Sequence, residues 1–160
     1  MKEYTLGPQH EDAGSRKDQL FSEGPCLDVY ASGMSRTSGP SELQAGGFTS
    51  RAPARALIDT GADLNAIDNK LALRVGMPKI AETQVRGMTG PAIAPVYLGR
   101  VFISALDRYE SGEFFGAVLS ERPYRVILGR SFLERYAFRY DGFDGRFYLR
   151  PIDYRSPSDI

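Results

Sequence analysis

The stretch ALIDTGAD, residues 56–63, ends an apolar run directly in a carboxylate, Asp59. Placing a carboxylate beside a buried strand end costs several kcal/mol unless hydrogen bonds, a partner charge or a proton stabilise it. Thr60 and Gly61 suit a tight loop whose backbone N–H groups turn towards the carboxylate, because glycine permits unusual backbone angles and threonine brings a hydroxyl. We therefore predict an ionised Asp59 held at the end of a strand. The alternative is a surface turn that Asp59 only shapes.

The composition favours one globular domain. The chain has 160 residues, 42% of them hydrophobic and 25% charged, which suits a single core. Lys and Arg together number 20, Asp and Glu together also number 20, and no basic block is present, so nucleic acid is not an expected partner. The N-terminal residues lack the apolar region of a signal peptide, and no apolar run is long enough to span a membrane. A soluble, cytoplasmic protein without membrane association is expected.

Alternation of apolar and polar residues predicts a mostly β protein with two short helices. Asp68 is a predicted N-cap for a helix through Val75 that stops at Gly76, and Ser131 is a predicted N-cap for turns through Tyr136. The predicted strands are Cys26–Ala31, Ala54–Ile58, Thr83–Arg86, Ala94–Tyr97, Val101–Ala105, Phe114–Leu119, Tyr124–Leu128, Phe138–Tyr140 and Arg146–Leu149.

The two ends of the chain are expected to lie outside the domain. Residues 1–24 are polar and show no periodicity, which predicts a flexible or loosely docked N-terminal extension. Residues 25–152 form the predicted domain, and residues 153–160 a C-terminal tail. Residues 32–51, rich in Gly, Ser and Pro, predict a long polar loop between the first two strands.

Two further motifs accompany ALIDTGAD. The segment VRGMTGPA, residues 85–92, predicts an exposed hairpin with a glycine-containing tip. The segment VILGR, residues 126–130, repeats the pattern of apolar residues ending in glycine and precedes a helix start. With these motifs in this order, and with aromatic strands at the C-terminal end, residues 24–151 resemble the retropepsins, the retroviral-type aspartic proteases and their cellular and bacterial relatives.

The resemblance implies a closed, antiparallel β-barrel-like acid-protease fold with a single lobe, active as a homodimer. The chain holds one Asp-Thr-Gly, whereas a bilobal pepsin needs two, so two identical chains would each bring one Asp59 to a shared site. Two carboxylates in contact share one proton. The ionised carboxylate can deprotonate a water, and the protonated one can polarise the scissile carbonyl and protonate the leaving amine.

The resemblance also assigns residues around the catalytic Asp59. Thr60 and Gly61 would support the dyad, the pair of Asp59 carboxylates, and Ala62 and Asp63 would lie beside the substrate. Gly87, Met88, Thr89 and Gly90 would form a flap, and Gly129 and Arg130 would be structural neighbours of the site. Arg130 is expected to form an ion pair with Asp63. The flap would close over a polypeptide substrate bound as an extended strand. The apolar Ile58, Ile93 and Val118 hint that hydrophobic substrate side chains are preferred.

A calcium loop is a rival reading of the acidic residues that begin at Asp59. Their spacing imitates such a loop, but Leu64 stands where a glycine is needed and Lys70 where a bidentate Glu is needed. No metal and no organic cofactor is therefore expected.

Other nucleophiles are not expected to form a site. His10 is the one histidine and lies in the predicted extension, so no Ser-His-Asp or Cys-His arrangement can be assembled in the predicted domain. Cys26 is predicted to be a small apolar strand residue, and Asp141 and Asp144, each followed by Gly, are predicted turn formers.

The leading hypothesis is an aspartic endopeptidase. A catalytically silent dimeric peptide-binding or scaffold domain of the same fold is the alternative from a different class. A third reading is a monomer in which Asp59 is a solvated loop residue.

Overall fold

The computed structural model describes residues 3–8, 12–34, 50–87 and 90–152. Within these ranges, strands predominate and the helices are short. In chain order the elements are β1 (Tyr4–Leu6), α1 (Ala13–Glu23), β2 (Cys26–Gly33), β3 (Arg51–Ile58), β4 (Ala66–Asp68), α2 (Asn69–Arg74), β5 (Lys79–Gly87), β6 (Gly90–Ile103), a 3₁₀ turn (Ser104–Leu106), β7 (Arg108–Ala117), β8 (Val126–Leu128), α3 (Arg130–Leu133), β9 (Tyr136–Asp141) and β10 (Arg146–Pro151).

Six strands close into a barrel. Their order is β2-β3-β8-β4-β7-β6, and the ring closes because β6 pairs with β2 as well as with β7. Strand β5 is not one of these six; it extends the sheet beyond β6 and forms a hairpin with it. Most of these pairs are antiparallel, but β3 pairs with β8 and β4 with β7 in parallel. The mostly β, barrel-like fold expected from the sequence is confirmed.

The barrel interior is filled by alternate side chains of its strands. Ile67, Val101, Phe114 and Leu128 are almost completely buried there. Each fully buried side chain of this size contributes roughly 1.5–3 kcal/mol through the hydrophobic effect. Strands β3 and β8 are neighbours in this packed barrel. The loops that follow them therefore start from rigid strand ends.

The helix predicted after Asp68 is confirmed as α2. The Asp68 side chain is the N-cap and accepts hydrogen bonds from the N–H groups of Lys70 and Leu71. Its other carboxylate oxygen accepts from Leu119 N at 2.9 Å. Gly76, two residues after the helix, has a φ of 71°, which a residue with a side chain rarely adopts. The Asp68 carboxylate therefore ties the start of α2 to the loop between β7 and β8.

Asp68→Ala is expected to lower the free energy of unfolding by about 2 kcal/mol, because a helix cap is lost and the buried N–H of Leu119 loses its acceptor. Asp68→Asn should lose about half of that, since one side-chain oxygen can still cap the helix. Urea unfolding of the three proteins measures the order. Equal stability of Asp68→Ala and the wild type would contradict the assignment of Asp68 as the cap of α2 and the acceptor for Leu119 N.

Part of the predicted N-terminal extension, flexible or loosely docked, forms β1 and α1 in the structure. Strand β1 pairs with β10 to form a three-stranded sheet in the order β1-β10-β9. Helix α1 starts at the cap Asp12 and buries Arg16 and Leu20. The Arg16 guanidinium reaches the carboxylate of Asp144 at 2.8 Å, and this hydrogen bond holds the pKa of Asp144 below its ordinary value. One charged and one apolar side chain, rather than an apolar stripe, dock this helix, so apolar periodicity does not mark it.

The remaining differences are local. Helix α3 is capped by Gly129 and not by the predicted Ser131. The strand predicted at Val101–Ala105 ends at Ile103, where the 3₁₀ turn begins. The β9–β10 hairpin forms as predicted, and Asp141 shapes its turn by accepting hydrogen bonds from two backbone N–H groups. Residues 35–49 of the predicted polar loop and the predicted tail at 153–160 lie outside the described residues.

Candidate active site

Asp59 lies where β3 leaves the barrel. The parallel pairing of β3 with β8 places Ile58 beside Leu128, so the loops after the two strands leave the same edge of the sheet. Asp59 N donates to Leu128 O at 3.0 Å, which extends the ladder by one hydrogen bond. The predicted proximity of the Asp59 loop, residues 59–64, to the VILGR segment is therefore present in the structure.

The carboxylate of Asp59 is held from within its own loop. Its Oδ1 accepts a hydrogen bond from Gly61 N at 2.8 Å, and its backbone carbonyl accepts from Ala62 N at 3.3 Å. Asp59 is partly exposed, and Thr60 and Gly61 are exposed. This is the predicted geometry, in which a backbone N–H turns towards the carboxylate. It orients the side chain and uses one lone pair of Oδ1, so the remaining lone pairs of this partly exposed carboxylate can accept from a further partner.

Four hydrogen bonds join the segment Leu128–Ser131 to the Asp59 loop and to Asn65, the residue after the loop. We name these four bonds the loop clamp. The segment lies between the end of β8 and the first turn of α3, and every bond involves its backbone. The bonds are Asp59 N to Leu128 O at 3.0 Å, Gly129 N to Asn65 Oδ1 at 3.0 Å, Arg130 N to Ala62 O at 2.8 Å and Ser131 N to Asp63 O at 3.0 Å.

The predicted ion pair between Asp63 and Arg130 is present. Arg130 Nη2 donates to Asp63 Oδ1, and Nη1 donates to Thr60 O at 3.0 Å. Arg130 is 57% exposed and Asp63 75% exposed, so the pair contributes at most about 1 kcal/mol to stability. The pair instead fixes the shape of the loop, because one guanidinium contacts Thr60 and Asp63, the residues on either side of Gly61 and Ala62.

Gly129 is required by space rather than by its backbone angles. Its φ of −87° is open to any residue. A Cβ at this position, however, would lie 2.6 Å from Leu64 O and 2.8 Å from Ala62 O, both of which are backbone atoms of the Asp59 loop. The loop can approach the start of α3 this closely only because residue 129 has no side chain.

A polar chain behind the loop, buried at two of its three residues, was not predicted from the sequence. It consists of Asn65, Glu110 and Arg135. Asn65 Nδ2 donates to Glu110 Oε1 at 3.1 Å, and Glu110 Oε2 forms an ion pair with Arg135. Burial raises the pKa of Glu110 above its ordinary value, while Arg135 and Asn65 lower it in opposition. Alternation along β7 could have found Glu110, because it puts residue 110 on the same face as the core residue Phe114.

The predicted glycine-tipped hairpin is formed by β5 and β6. Its register pairs Thr83 with Ala94 and Gly87 with Gly90. Met88 and Thr89, predicted for the flap tip, lie outside the described residues. The hairpin itself is confirmed, and its action as a flap remains a proposal.

The three apolar residues suggested near the substrate separate into two groups. Ile93 on β6 is 75% exposed and Val118 after β7 is 82% exposed, so both can contact a bound molecule. Ile58 is 3% exposed and packs in the core. The suggestion is therefore wrong for Ile58, because its side chain lies on the inward face of β3 and packs inside the barrel.

The rival sites receive no support from the described residues. Asp59, Asp63 and Asp68 have separate hydrogen-bond partners, and no group of three His, Cys, Asp or Glu able to hold a metal occurs among the described residues. Burial raises the pKa of the Cys26 thiol to about 11, so it is protonated and weakly nucleophilic at neutral pH. In the described part of the chain, no helix has the length and apolar character needed to cross a membrane.

Comparison with known families identifies the family of this chain. The family described as "Aspartyl protease" matches residues 42–132, which is more than half of the chain and includes both the Asp59 loop and the VILGR segment. The protein belongs to the aspartyl protease family, and this membership supports a protease function. The resemblance to aspartic proteases inferred from the sequence is confirmed at the level of the family.

Several solved structures are similar to this chain. The retropepsin-like aspartic protease from Rickettsia conorii aligns at 14% identity over 92% of this chain and 90% of its own, with a TM-score of 0.49. The simian foamy virus (mac) protease aligns at 16% identity over 68% of this chain and 91% of its own, with a TM-score of 0.41. The EIAV protease complexed with the inhibitor HBY-793 aligns at 21% identity over 51% of this chain and 75% of its own, with a TM-score of 0.40. No curated protein matches the chain significantly.

Proposed function

We propose that this protein is an aspartic endopeptidase that acts as a homodimer, with one Asp59 from each chain in the catalytic dyad. One observation carries the proposal. Asp59 is an oriented, partly exposed carboxylate on a loop fixed by the loop clamp, and its remaining lone pairs can accept a hydrogen bond from a second, protonated carboxylate. A solvated turn residue would not need a neighbouring segment to hold its loop through three hydrogen bonds and the following residue through a fourth.

The chemistry follows from two carboxylates that share one proton. The pair titrates as a unit, with one apparent pKa raised and the other lowered. The ionised Asp59 takes a proton from a water, whose oxygen attacks the carbonyl carbon of the scissile peptide. The protonated Asp59 of the other chain hydrogen-bonds the carbonyl oxygen and then protonates the leaving nitrogen. Water and the two side chains supply every proton, so no cofactor takes part.

The substrate in this proposal is an extended polypeptide lying between the Asp59 loop and the β5–β6 hairpin. Extended segments bind through backbone hydrogen bonds, and their alternate side chains enter pockets. Ala62 and Asp63 border the loop side, and the hairpin tip from Gly87 to Gly90 closes the opposite side. Ile93 and Val118 are exposed apolar residues that suit hydrophobic substrate side chains.

The proposal is tested by peptide cleavage at a series of protein concentrations. We expect the wild-type protein to cleave members of a peptide library between about pH 4 and 7, the range in which a proton-sharing dyad works. Specific activity should fall on dilution, in step with dissociation to monomers measured by sedimentation, because each site needs two chains. An Asp59→Asn protein purified in parallel controls for contaminating proteases.

The alternatives give different results in the same experiment. A dimer that binds peptides but cleaves none at any pH would identify a silent peptide-binding domain. A protein that stays monomeric at micromolar concentration over the whole pH range would exclude the dyad.

A further inference from the structure

The polar chain of Asn65, Glu110 and Arg135 contacts the loop clamp through the side chain of Asn65. Asn65 Oδ1 accepts from Gly129 N at 3.0 Å, while Nδ2 donates to Glu110 Oε1 at 3.1 Å. A backbone N–H can only donate, and an ionised carboxylate can only accept. One orientation of the amide therefore satisfies both neighbours, and the reversed orientation would place donor against donor and acceptor against acceptor.

We propose that Glu110 is a positioning residue for Asp59: its carboxylate fixes the amide of Asn65, and Asn65 thereby holds Gly129 and the loop clamp in register. This inference rests on the proposed function, because the group being positioned is the proposed catalytic carboxylate. Glu110 itself comes from β7 and reaches Asp59 only through Asn65 and the clamp.

The placement of Glu110 supports this role. The residue is 8% exposed, on the inward face of β7 two alternations from the fully buried Phe114. An apolar side chain would fill such a position at lower free-energy cost than a carboxylate. The structure instead satisfies both carboxylate oxygens, one with Asn65 and the other with Arg135. The first of these bonds leads directly to the Asp59 loop.

A purely structural explanation is that Glu110 joins β7 to the segment before β9 through Arg135. That bond and the Asn65 bond use different oxygens, so they can be separated by substitution. Arg135→Gln removes the ion pair and leaves the contact with Asn65. Glu110→Gln keeps an oxygen that can accept from Asn65 and loses the charge that pairs with Arg135. Glu110→Met fills the same volume and removes both.

The experiment measures kcat and KM of these three variants on one peptide substrate, normalised to the concentration of active dimer. We expect Glu110→Met to lose about tenfold in kcat with KM within about twofold, as when one hydrogen bond that orients a reacting group is lost. Glu110→Gln and Arg135→Gln should stay within about threefold of the wild type. If Arg135→Gln loses as much kcat as Glu110→Met, or if Glu110→Met raises KM alone, the inference is overturned.

A double-substitution cycle tests whether Glu110 acts through Asn65. Asn65→Leu should lower kcat by at least as much as Glu110→Met, and adding Glu110→Met to Asn65→Leu should cause no further loss, because the link is already broken. Additive losses would show that Glu110 acts by another route. If Glu110→Met does not fold, Glu110→Asp replaces it, since it keeps the charge but is too short by one methylene to keep both contacts.

A measurement that does not use activity separates failure of this inference from failure of the proposed function. Hydrogen exchange of the Gly129 amide should be faster in Glu110→Met than in Arg135→Gln, since the first variant leaves the acceptor Asn65 unheld. If the wild type cleaves no peptide but the Gly129 amide behaves this way, the proposed function fails and the Glu110–Asn65 link stands. If the wild type is active and the Gly129 amide is equally protected in both variants, the inference fails alone.

Discussion

Asp59→Asn is expected to lower kcat/KM for peptide cleavage by about a thousandfold or more while the protein still folds and self-associates. The amide cannot take a proton from water or share one with the partner's Asp59. The fold is unaffected, because the amide oxygen can accept the hydrogen bond from Gly61 N that the carboxylate accepts now. Cleavage assays, sedimentation and thermal unfolding of the same preparation check the three parts of this prediction.

Two controls sharpen the Asp59 result. Asp107→Asn makes the same chemical change at an exposed residue with a φ of 50°, a conformation that Asn tolerates well, and should leave cleavage unchanged. Mixing wild-type and Asp59→Asn chains in equal amounts should lower activity per wild-type chain to about half by random pairing of protomers. A folded Asp59→Asn dimer with wild-type activity would falsify the assignment of Asp59 as the catalyst.

Gly129→Ala is expected to lower the free energy of unfolding by about 3 kcal/mol and the Tm by roughly 10 °C. The added Cβ meets Leu64 O at 2.6 Å and Ala62 O at 2.8 Å, and neither backbone atom can rotate away as a side chain would. The Asp59 loop must then move away from α3, which lengthens the hydrogen bonds of the loop clamp. Peptide cleavage should fall by at least about tenfold in the fraction that remains folded.

Gly142→Ala is the matched control for Gly129→Ala. Residue 142 lies in the exposed turn of the β9–β10 hairpin and its φ is not positive. The nearest atom to an added Cβ is a ring carbon of Tyr140 at 3.2 Å, and that side chain is half exposed and can shift. Its stability should change by less than about 0.5 kcal/mol. If Gly129→Ala were equally harmless, the Asp59 loop would not be fixed against α3.

Local signals in the sequence predict the elements around the site. The strand that ends at Ile58 is marked by its apolar run, and helix α2 by the cap Asp68 and by Gly76. The Asp59–Gly61 turn follows from residue chemistry alone, since Asp and Gly favour it wherever they occur together. The pairing of Asp63 with Arg130 follows from the family resemblance rather than from any local rule, because the parallel pairing of β3 with β8 and the loop clamp bring together two residues 67 positions apart.

Long-range packing determines what the sequence could not predict. The closure of the barrel between β2 and β6 depends on strand partners far apart in the chain. Helix α1 docks through Leu20 and through the ion pair of Arg16 with Asp144, 128 residues away, and these two contacts leave no periodic trace in the sequence. Glu110 is likewise explained only once β7 is known to face Asn65.

The pairing of β1 with β10 bears on how this protein could be processed. Strand β1 covers one edge of a three-stranded sheet whose remaining two strands form a hairpin. Proteolytic trimming upstream of Gly24 would uncover the backbone N–H and C=O groups of β10 and would remove the guanidinium that Asp144 holds. An uncovered strand edge invites pairing with other chains. In this molecule, the N-terminal segment therefore protects one edge of the β9–β10 hairpin from such pairing.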